Sequence, residues 1–152
     1  MAKEIERKFL VSGDSYRRKA TESHHIVQAY LSTDPEATVR VRILDDRGFL
    51  TVKGLNHGAV RSEWEYEIPH NDATAMIAQC ARSKTIDKTR YIVPAAEEGL
   101  KWEVDEFHCS HQGLVVAEIE LPSEDTPFSL PDFAGKEVTG DPAYYNSSLA
   151  GI

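Results

Sequence analysis

Cysteine is scarce in this chain of 152 residues: Cys80 and Cys109 are the whole supply. Two thiols cannot supply the framework that small secreted domains use in place of a core, so a disulfide-stapled fold is excluded. Both are expected to be buried or half-buried. Long apolar runs are missing too, and none approaches the roughly 20 residues that a membrane-spanning helix needs. The opening Met-Ala-Lys-Glu-Ile-Glu holds no apolar signal-peptide stretch, so the cytoplasm is the expected location. Positive charge is in deficit. The formal net charge of −8 argues against general affinity for nucleic acid or an anionic membrane surface. No Gly-x-x-x-x-Gly-Lys-Ser/Thr loop occurs, which removes a P-loop NTPase. His24 and His25 open a strand and are expected to be exposed. His108, Cys109 and His111 would give a zinc ion three local ligands, one short of a structural site. Ser15, Ser147 and Ser148 have no base at nucleophile-activating spacing and read as caps or turns.

What the chain does have is 41% apolar and 28% charged residues, the balance of a globular domain. Its length fits one domain over residues 1–152 with a core of its own. Charges recur at every second position in segment after segment: Glu4-Ile5-Glu6-Arg7-Lys8, Arg40-Val41-Arg42, Thr51-Val52-Lys53, Glu63-Trp64-Glu65, Lys88-Thr89-Arg90, Glu103-Val104-Asp105 and Glu118-Ile119-Glu120. Alternation with apolar and β-branched residues reads as strands over about 3–11, 24–32, 37–45, 48–55, 60–68, 84–93, 100–107 and 113–121. Asp45-Asp46-Arg47-Gly48 and Asn56-His57-Gly58 read as turns between consecutive strands. A helix is expected over Asn71 to Ala81, with Asn71 as its cap and Ala75, Met76, Ile77 and Ala78 as its apolar positions. Ser15 to Ala20 and Asp141 to Ala150 read as shorter helical pieces. Pro122, Pro127, Pro131 and Pro142 argue against strands in the tail. Eight successive antiparallel strands predict an α+β fold: a closed or nearly closed barrel, with a two-sheet sandwich as the alternative, and a few helices packed outside.

The charges sort by sign along the strands, which a mixed solvated face does not explain. Turned inward, they bring eight carboxylates (Glu4, Glu6, Glu63, Glu65, Glu103, Asp105, Glu118, Glu120) to face six cations (Lys8, Arg40, Arg42, Lys53, Lys88, Arg90). Such an interior must be wet, paired or filled by a ligand, because unpaired buried charge is costly. One divalent cation brings the sum to zero, and a second makes the tunnel attractive to an anion. Carboxylates are the hard oxygen ligands that Mg²⁺ or Mn²⁺ prefers. Guanidinium and ammonium groups bind phosphate oxygens. Both sets on facing walls suit a phosphoanhydride chain with its metal, and phosphoryl transfer is chemistry of positioning and charge neutralisation.

Glu4-x-Glu6-x-Lys8 resembles the Glu-x-Glu-x-Lys motif of the CYTH domain, or triphosphate tunnel metalloenzyme, superfamily. The remaining groups follow in that family's order: Arg40/Arg42, Lys53, Arg61-x-Glu63-x-Glu65, Lys88-Thr89-Arg90-Tyr91, Glu103-x-Asp105-x-Phe107 and Glu118-x-Glu120. Gln28-Ala29-Tyr30-Leu31 is similar as well, and Glu137-Val138-Thr139 with Tyr144-x-Asn146-x-x-Leu149-Ala150 resembles short bacterial members. The resemblance spans essentially the whole chain. It implies an eight-stranded antiparallel tunnel and a Mg²⁺- or Mn²⁺-dependent hydrolase of a triphosphate, foremost inorganic triphosphate. Thiamine triphosphate hydrolysis, a class IV type adenylate cyclase and a non-catalytic polyphosphate- or nucleotide-binding module are the rivals. Glu4, Glu6, Glu103, Asp105, Glu118 and Glu120 are then the candidate metal ligands. Lys8, Arg40, Arg42, Lys53, Lys88 and Arg90 would hold phosphate, with Tyr30 capping one end of the tunnel. Lys8, Lys88 and Arg90 with Glu63 and Glu65 are the catalytic candidates, the two glutamates binding a second metal or orienting the attacking water. Arg61 would point inward at the mouth; Glu67 shares the parity of Glu63 and Glu65 but falls outside the matched motif, and reads equally as an outer or rim carboxylate or as a ligand. The partner is a small triphosphate, with neither nucleic acid nor membrane, and a homodimer is the family's common assembly.

Overall fold

The structure, a computed structural model, describes residues 3–151. Nine strands and three short α-helices follow one another in the order β1 (Lys3–Val11), α1 (Ser15–Lys19), β2 (Glu22–Ser32), β3 (Thr38–Leu44), β4 (Arg47–Lys53), β5 (Val60–Ile68), α2 (His70–Cys80), β6 (Ile86–Pro94), β7 (Lys101–Phe107), β8 (Val115–Glu120), β9 (Ala134–Glu137) and α3 (Asn146–Leu149). The strands join in the order β5-β4-β3-β2-β6-β7-β8-β1-β9, and a β5–β1 pairing closes the first eight into a barrel. All neighbours are antiparallel, and the consecutive pairs β2–β3, β3–β4, β4–β5, β6–β7 and β7–β8 follow from short connections. The closing seam is narrow: Lys3, Glu4 and Ile5 pair with Ser62, Arg61 and Val60.

Each strand presents one set of side chains outward and the other into the tunnel. The main apolar core lies outside the barrel wall. Phe9, Trp102, Val104, Ala117 and Ile119, from β1, β7 and β8, are buried there beneath Tyr16 of α1 and Phe133 of the C-terminal segment. Edge-to-face ring contacts of Phe9 with Trp102 (5.7 Å) and of Trp102 with Phe128 (5.9 Å) knit this layer. On the other side α2 covers β3 and β4, with Ala73 seated on Gly48. A second cluster of Tyr30, Ile86, Phe107, Val116 and Ala150, joined by Leu10 and Leu149, packs α3 against one end of the tunnel. Leu10, Ile86, Phe107 and Val116 share the inward parity of Lys8, Lys88, Asp105 and Glu118. The lining is therefore ionic along its length and apolar at one end.

Several expectations are corrected. The proline-bearing tail does hold a strand: β9 contains no proline and lies along the part of β1 that β5 leaves unpaired, matching Phe9 with Glu137 and Val11 with Ala134. Helix α2 starts at His70 with Pro69 as its N-cap, so Asn71 lies inside the first turn and does not cap it. Ala73 is the buried position of α2, Met76 and Ile77 are half-buried, and Ala75 and Ala78 face solvent. The final helical piece is two: a 3-10 turn over Pro142–Tyr144 and then α3. Both cysteines are exposed. Cys80 ends α2, and Cys109 lies in a turn where its φ of 60° turns the chain between β7 and β8. His24 is half-buried, held by Asp45 and Glu22, whereas His25 is exposed. No helix among the described residues is long and apolar enough to cross a membrane.

Candidate active site

The ring of strands brings every charged residue named from the alternation to one tunnel. Glu4, Glu6, Arg40, Arg42, Lys53, Glu63, Glu65, Arg90, Glu103, Glu118 and Glu120 line a central cavity together with Asn146. Lys8, Tyr30 and Arg61 line the adjoining mouth, where the Thr139–Gly140 and Tyr145–Ser147 stretches of the tail come in. Lys88 and Asp105 lie beneath, both buried. Tyr30 is packed into the apolar end and also borders the mouth. Arg61 spans that mouth by donating to the Gly54 carbonyl (2.7 Å) and Thr38 Oγ1 (3.0 Å). Glu67 stays at the exposed rim, paired with Arg47 at 2.7 Å.

The cations are held in unequal ways. Asp105 accepts two bonds from Arg90, at 2.8 and 2.9 Å, and pairs with Lys88 at 2.7 Å. Arg90 also reaches Glu103 at 3.3 Å. Lys53 pairs with Glu4 at 3.1 Å, and Lys8 meets Glu118 at 3.5 Å. Arg40 stands 3.5 Å from Glu65 and donates to Thr51 Oγ1, which itself donates to Glu65 at 2.8 Å. Two of the ammonium groups also use neutral acceptors from the tail: Lys8 donates to the Tyr144 carbonyl at 3.1 Å, and Lys88 to Asn146 Oδ1 at 3.2 Å. Arg42 donates through Nε to Gln28 Oε1 at 2.8 Å.

The acids divide into satisfied and strained groups. Burial would raise Asp105, but the adjacent Arg90 and Lys88 charges hold its carboxyl well below the usual range. Burial likewise opposes ionisation of Glu118, yet Lys8 brings it down to about 2. Burial would raise Glu4, but the charge and hydrogen bond of Lys53, with a hydrogen bond from Glu63, leave it lowered. Glu6 is raised well above its ordinary value by burial and by the charges of Glu118 and Glu4. Glu120 is raised by burial and by Glu4 and Glu103. Glu63 is pushed up to about 7, chiefly by burial, with Glu4 adding to it against Lys53. Glu6 and Glu120 are direct cross-strand partners, a like-charge placement that a sheet ordinarily avoids. Among the cations, burial pushes Lys88 down to about 7 against the pull of Asp105, and burial with the Arg40 and Arg90 charges lowers Arg42 to about 9.

Glu4, Glu6, Glu118 and Glu120 thus crowd negative charge on the β1–β8 wall beyond what the nearby lysines offset. Among the described residues no three acids already stand as a ready-made ligand cluster. The repulsion that raises Glu6 and Glu120 is nevertheless the feature a divalent cation would relieve, so this donor set fits a hard metal ion. Thr51, Asn146 and Gln28 escaped the reading of the sequence because they carry no charge. Gln28 shares the parity of Tyr30 in β2, and Asn146 lies in the Tyr144-x-Asn146 stretch, which were the available signals.

A family model described as the CYTH domain matches residues 2–147. An inorganic triphosphatase of Acetivibrio thermocellus is 48% identical over 149 residues, covering 98% of this chain and 94% of that protein. A solved inorganic triphosphatase is 31% identical with a TM-score of 0.65, over 99% of this chain and 95% of that one. A Hippeastrum protein studied as an adenylyl cyclase, with a dominant triphosphatase activity, superposes with a TM-score of 0.61 at 15% identity, over 79% of this chain and 80% of that one. At that identity the likeness is one of fold.

Proposed function

The chain belongs to the CYTH domain family, and from that premise we propose that its tunnel hydrolyses inorganic triphosphate to pyrophosphate and phosphate. The observation that carries this reading is the two-signed lining of a single cavity, with six cations near its walls and an acid group in excess of them. Glu4, Glu6, Glu118 and Glu120 are the residues that would hold Mg²⁺ or Mn²⁺, with Glu103 beside them. When bound, the metal supplies Lewis-acid neutralisation of phosphate oxygens. Asp105 is better read as a hub for Lys88 and Arg90 than as a ligand, since those two cations already take both of its oxygens.

Arg40, Arg42, Lys53 and Arg90 line the cavity as phosphate-oxygen donors, with Lys8 at the adjoining mouth and Lys88 beneath. As charge shifts to the leaving pyrophosphate, these fixed cations stabilise it without reorganising solvent. Glu63, pushed up to about 7, is poised to take a proton from the attacking water, and Glu65 beside it orients that water. In-line attack on the terminal phosphorus needs no protein nucleophile, so no covalent intermediate forms. The small substrate needs no membrane and no nucleic acid, and the cytoplasm is its expected setting. A homodimer is the expected assembly, supported by Trp64 and Tyr66 exposed on the outer face of β5. Light scattering at twice the chain's 17.0 kDa would show it.

The deciding experiment measures phosphate release from tripolyphosphate, ATP and thiamine triphosphate, with Mg²⁺, with Mn²⁺ and with chelator. Metal-dependent release with the highest kcat/KM on tripolyphosphate is expected. Cyclic AMP formed from ATP, or tripolyphosphate binding without release under any metal, would overturn the reading.

A further inference from the structure

Gln28 is fully buried in β2 and stands directly opposite Arg42 of β3. Its Oε1 accepts from Arg42 Nε at 2.8 Å, which fixes the amide's orientation: the oxygen faces the guanidinium and the NH₂ group faces away. Gln28 Nε2 then finds no partner among the described residues. An unmet buried donor is a cost that a glutamate at this position would avoid, and a carboxylate would also bind Arg42 more strongly. The neighbouring arginines do have carboxylates: Arg90 has Asp105 and Glu103, and Arg40 has Glu65. Among the described residues Arg42 pairs with none, although it is buried and lines the cavity.

We infer that Gln28 is a positioning residue, whose amide carbonyl aims Arg42 into the tunnel while leaving the guanidinium's charge free for a phosphate oxygen of the substrate. This rests on the triphosphatase reading above and adds a division of labour among the cations. Arg90 is held by acids before substrate arrives. Arg42 is held by a neutral group, so the anion meets its full charge. A side chain present only to fill space would lose nothing on becoming glutamate, which has the same shape and satisfies Arg42 better.

The test compares wild type, Gln28→Glu, Gln28→Met, Arg42→Met and the Gln28→Met/Arg42→Met double variant. Each is read by kcat and KM for tripolyphosphate, by calorimetric binding of tripolyphosphate without metal, and by melting temperature. Gln28→Glu is expected to melt at or above the wild-type temperature, yet to bind tripolyphosphate at least about tenfold more weakly, with most of the change in KM. Gln28→Met is expected to raise KM in the wild-type background and to add little once Arg42 is already Met. Wild-type-like binding by a stably folded Gln28→Glu would overturn the inference. Should Gln28→Glu fail to fold, additive effects of the two Met substitutions on KM would overturn it instead. Failure of the triphosphatase reading looks different: the wild type itself would release no phosphate from tripolyphosphate under any metal, and if it also failed to bind tripolyphosphate the inference would fall with it.

Discussion

Asp105 and Glu120 follow the same alternation on adjacent strands and face the same tunnel, but they meet different neighbours. Asp105 is buried and takes three bonds from Arg90 and Lys88, whereas Glu120 is exposed and is crowded by Glu4 and Glu103. Asp105→Asn leaves two buried cations short of their counter-charge and is expected to cost about 3–5 kcal/mol in urea unfolding. Glu120→Gln is expected to shift unfolding by less than about 0.5 kcal/mol while removing metal-stimulated turnover. A mild Asp105→Asn would refute the hub. The alternation placed both acids on one face, but it carries no depth and no cross-strand partner, so their different tasks could not be separated from it. His24 offers a second check at this scale. Its hydrogen bond to Asp45 at 2.6 Å, aided by Glu22, raises its pKa against the opposing effect of burial. A raised basic group stabilises the fold fully below its unfolded pKa, and the gain is lost as pH rises through the folded value. His24→Gln should therefore lower the melting temperature at pH 5.5 and have little effect at pH 9. The penalty should stay under about 1 kcal/mol because the pair is partly solvated. An equal loss at both pH values would mean that the ring matters through packing and not through charge.

Among the elements, α2 shows how a helix is seated by the strand beneath it. A Cβ on Gly48 would lie 2.7 Å from the Ala73 Cβ and 3.0 Å from the Ile68 carbonyl oxygen. Gly48→Ala must lift α2 or bend β4, and about 1–3 kcal/mol of destabilisation is expected from overpacking, measured by chemical denaturation. Adding Ala73→Gly should recover part of that loss; no recovery would place the strain at the backbone contact instead. The turn ahead of Gly48, which the structure narrows to Asp45-Asp46, and helix α2 were both legible as local signals. The helix's buried face was not, because a short helix with alanine on several sides presents no single apolar stripe. The same limit applies to β9. Its four residues make a strand only because β5 pairs with three residues of β1 and leaves the rest of that edge to be covered.

The whole molecule is a shell whose grease lies outside and whose charge lies within. Burial of the tunnel acids, with their mutual repulsion added to it, sets a pH dependence. The Glu63 pKa is pushed up to about 7, chiefly by burial. A carboxyl group raised in the folded state stabilises the fold at low pH and loses that contribution as pH climbs from about 4.5 through 7. Without metal, the melting temperature is expected to fall between pH 5 and pH 8, and Glu63→Gln should flatten the slope. Mg²⁺ or Mn²⁺ should restore more stability at pH 8 than at pH 5, because ligand protons must leave first. A slope unchanged in Glu63→Gln would show that another acid carries the dependence.

The eight barrel strands and the sorting of their charges onto one face of each were legible in the sequence, since period-two alternation is a local property that survives any arrangement of the strands; that this face turns inward was decided by closure of the barrel. Which acid meets which cation was decided by the tertiary structure. So were the apolar closure of one end by α3 and, among the described residues, the reliance of Arg42 on the neutral Gln28. Those features depend on register and depth between segments far apart in the chain, and pairing a neutral amide with a buried arginine leaves no charge pattern to read.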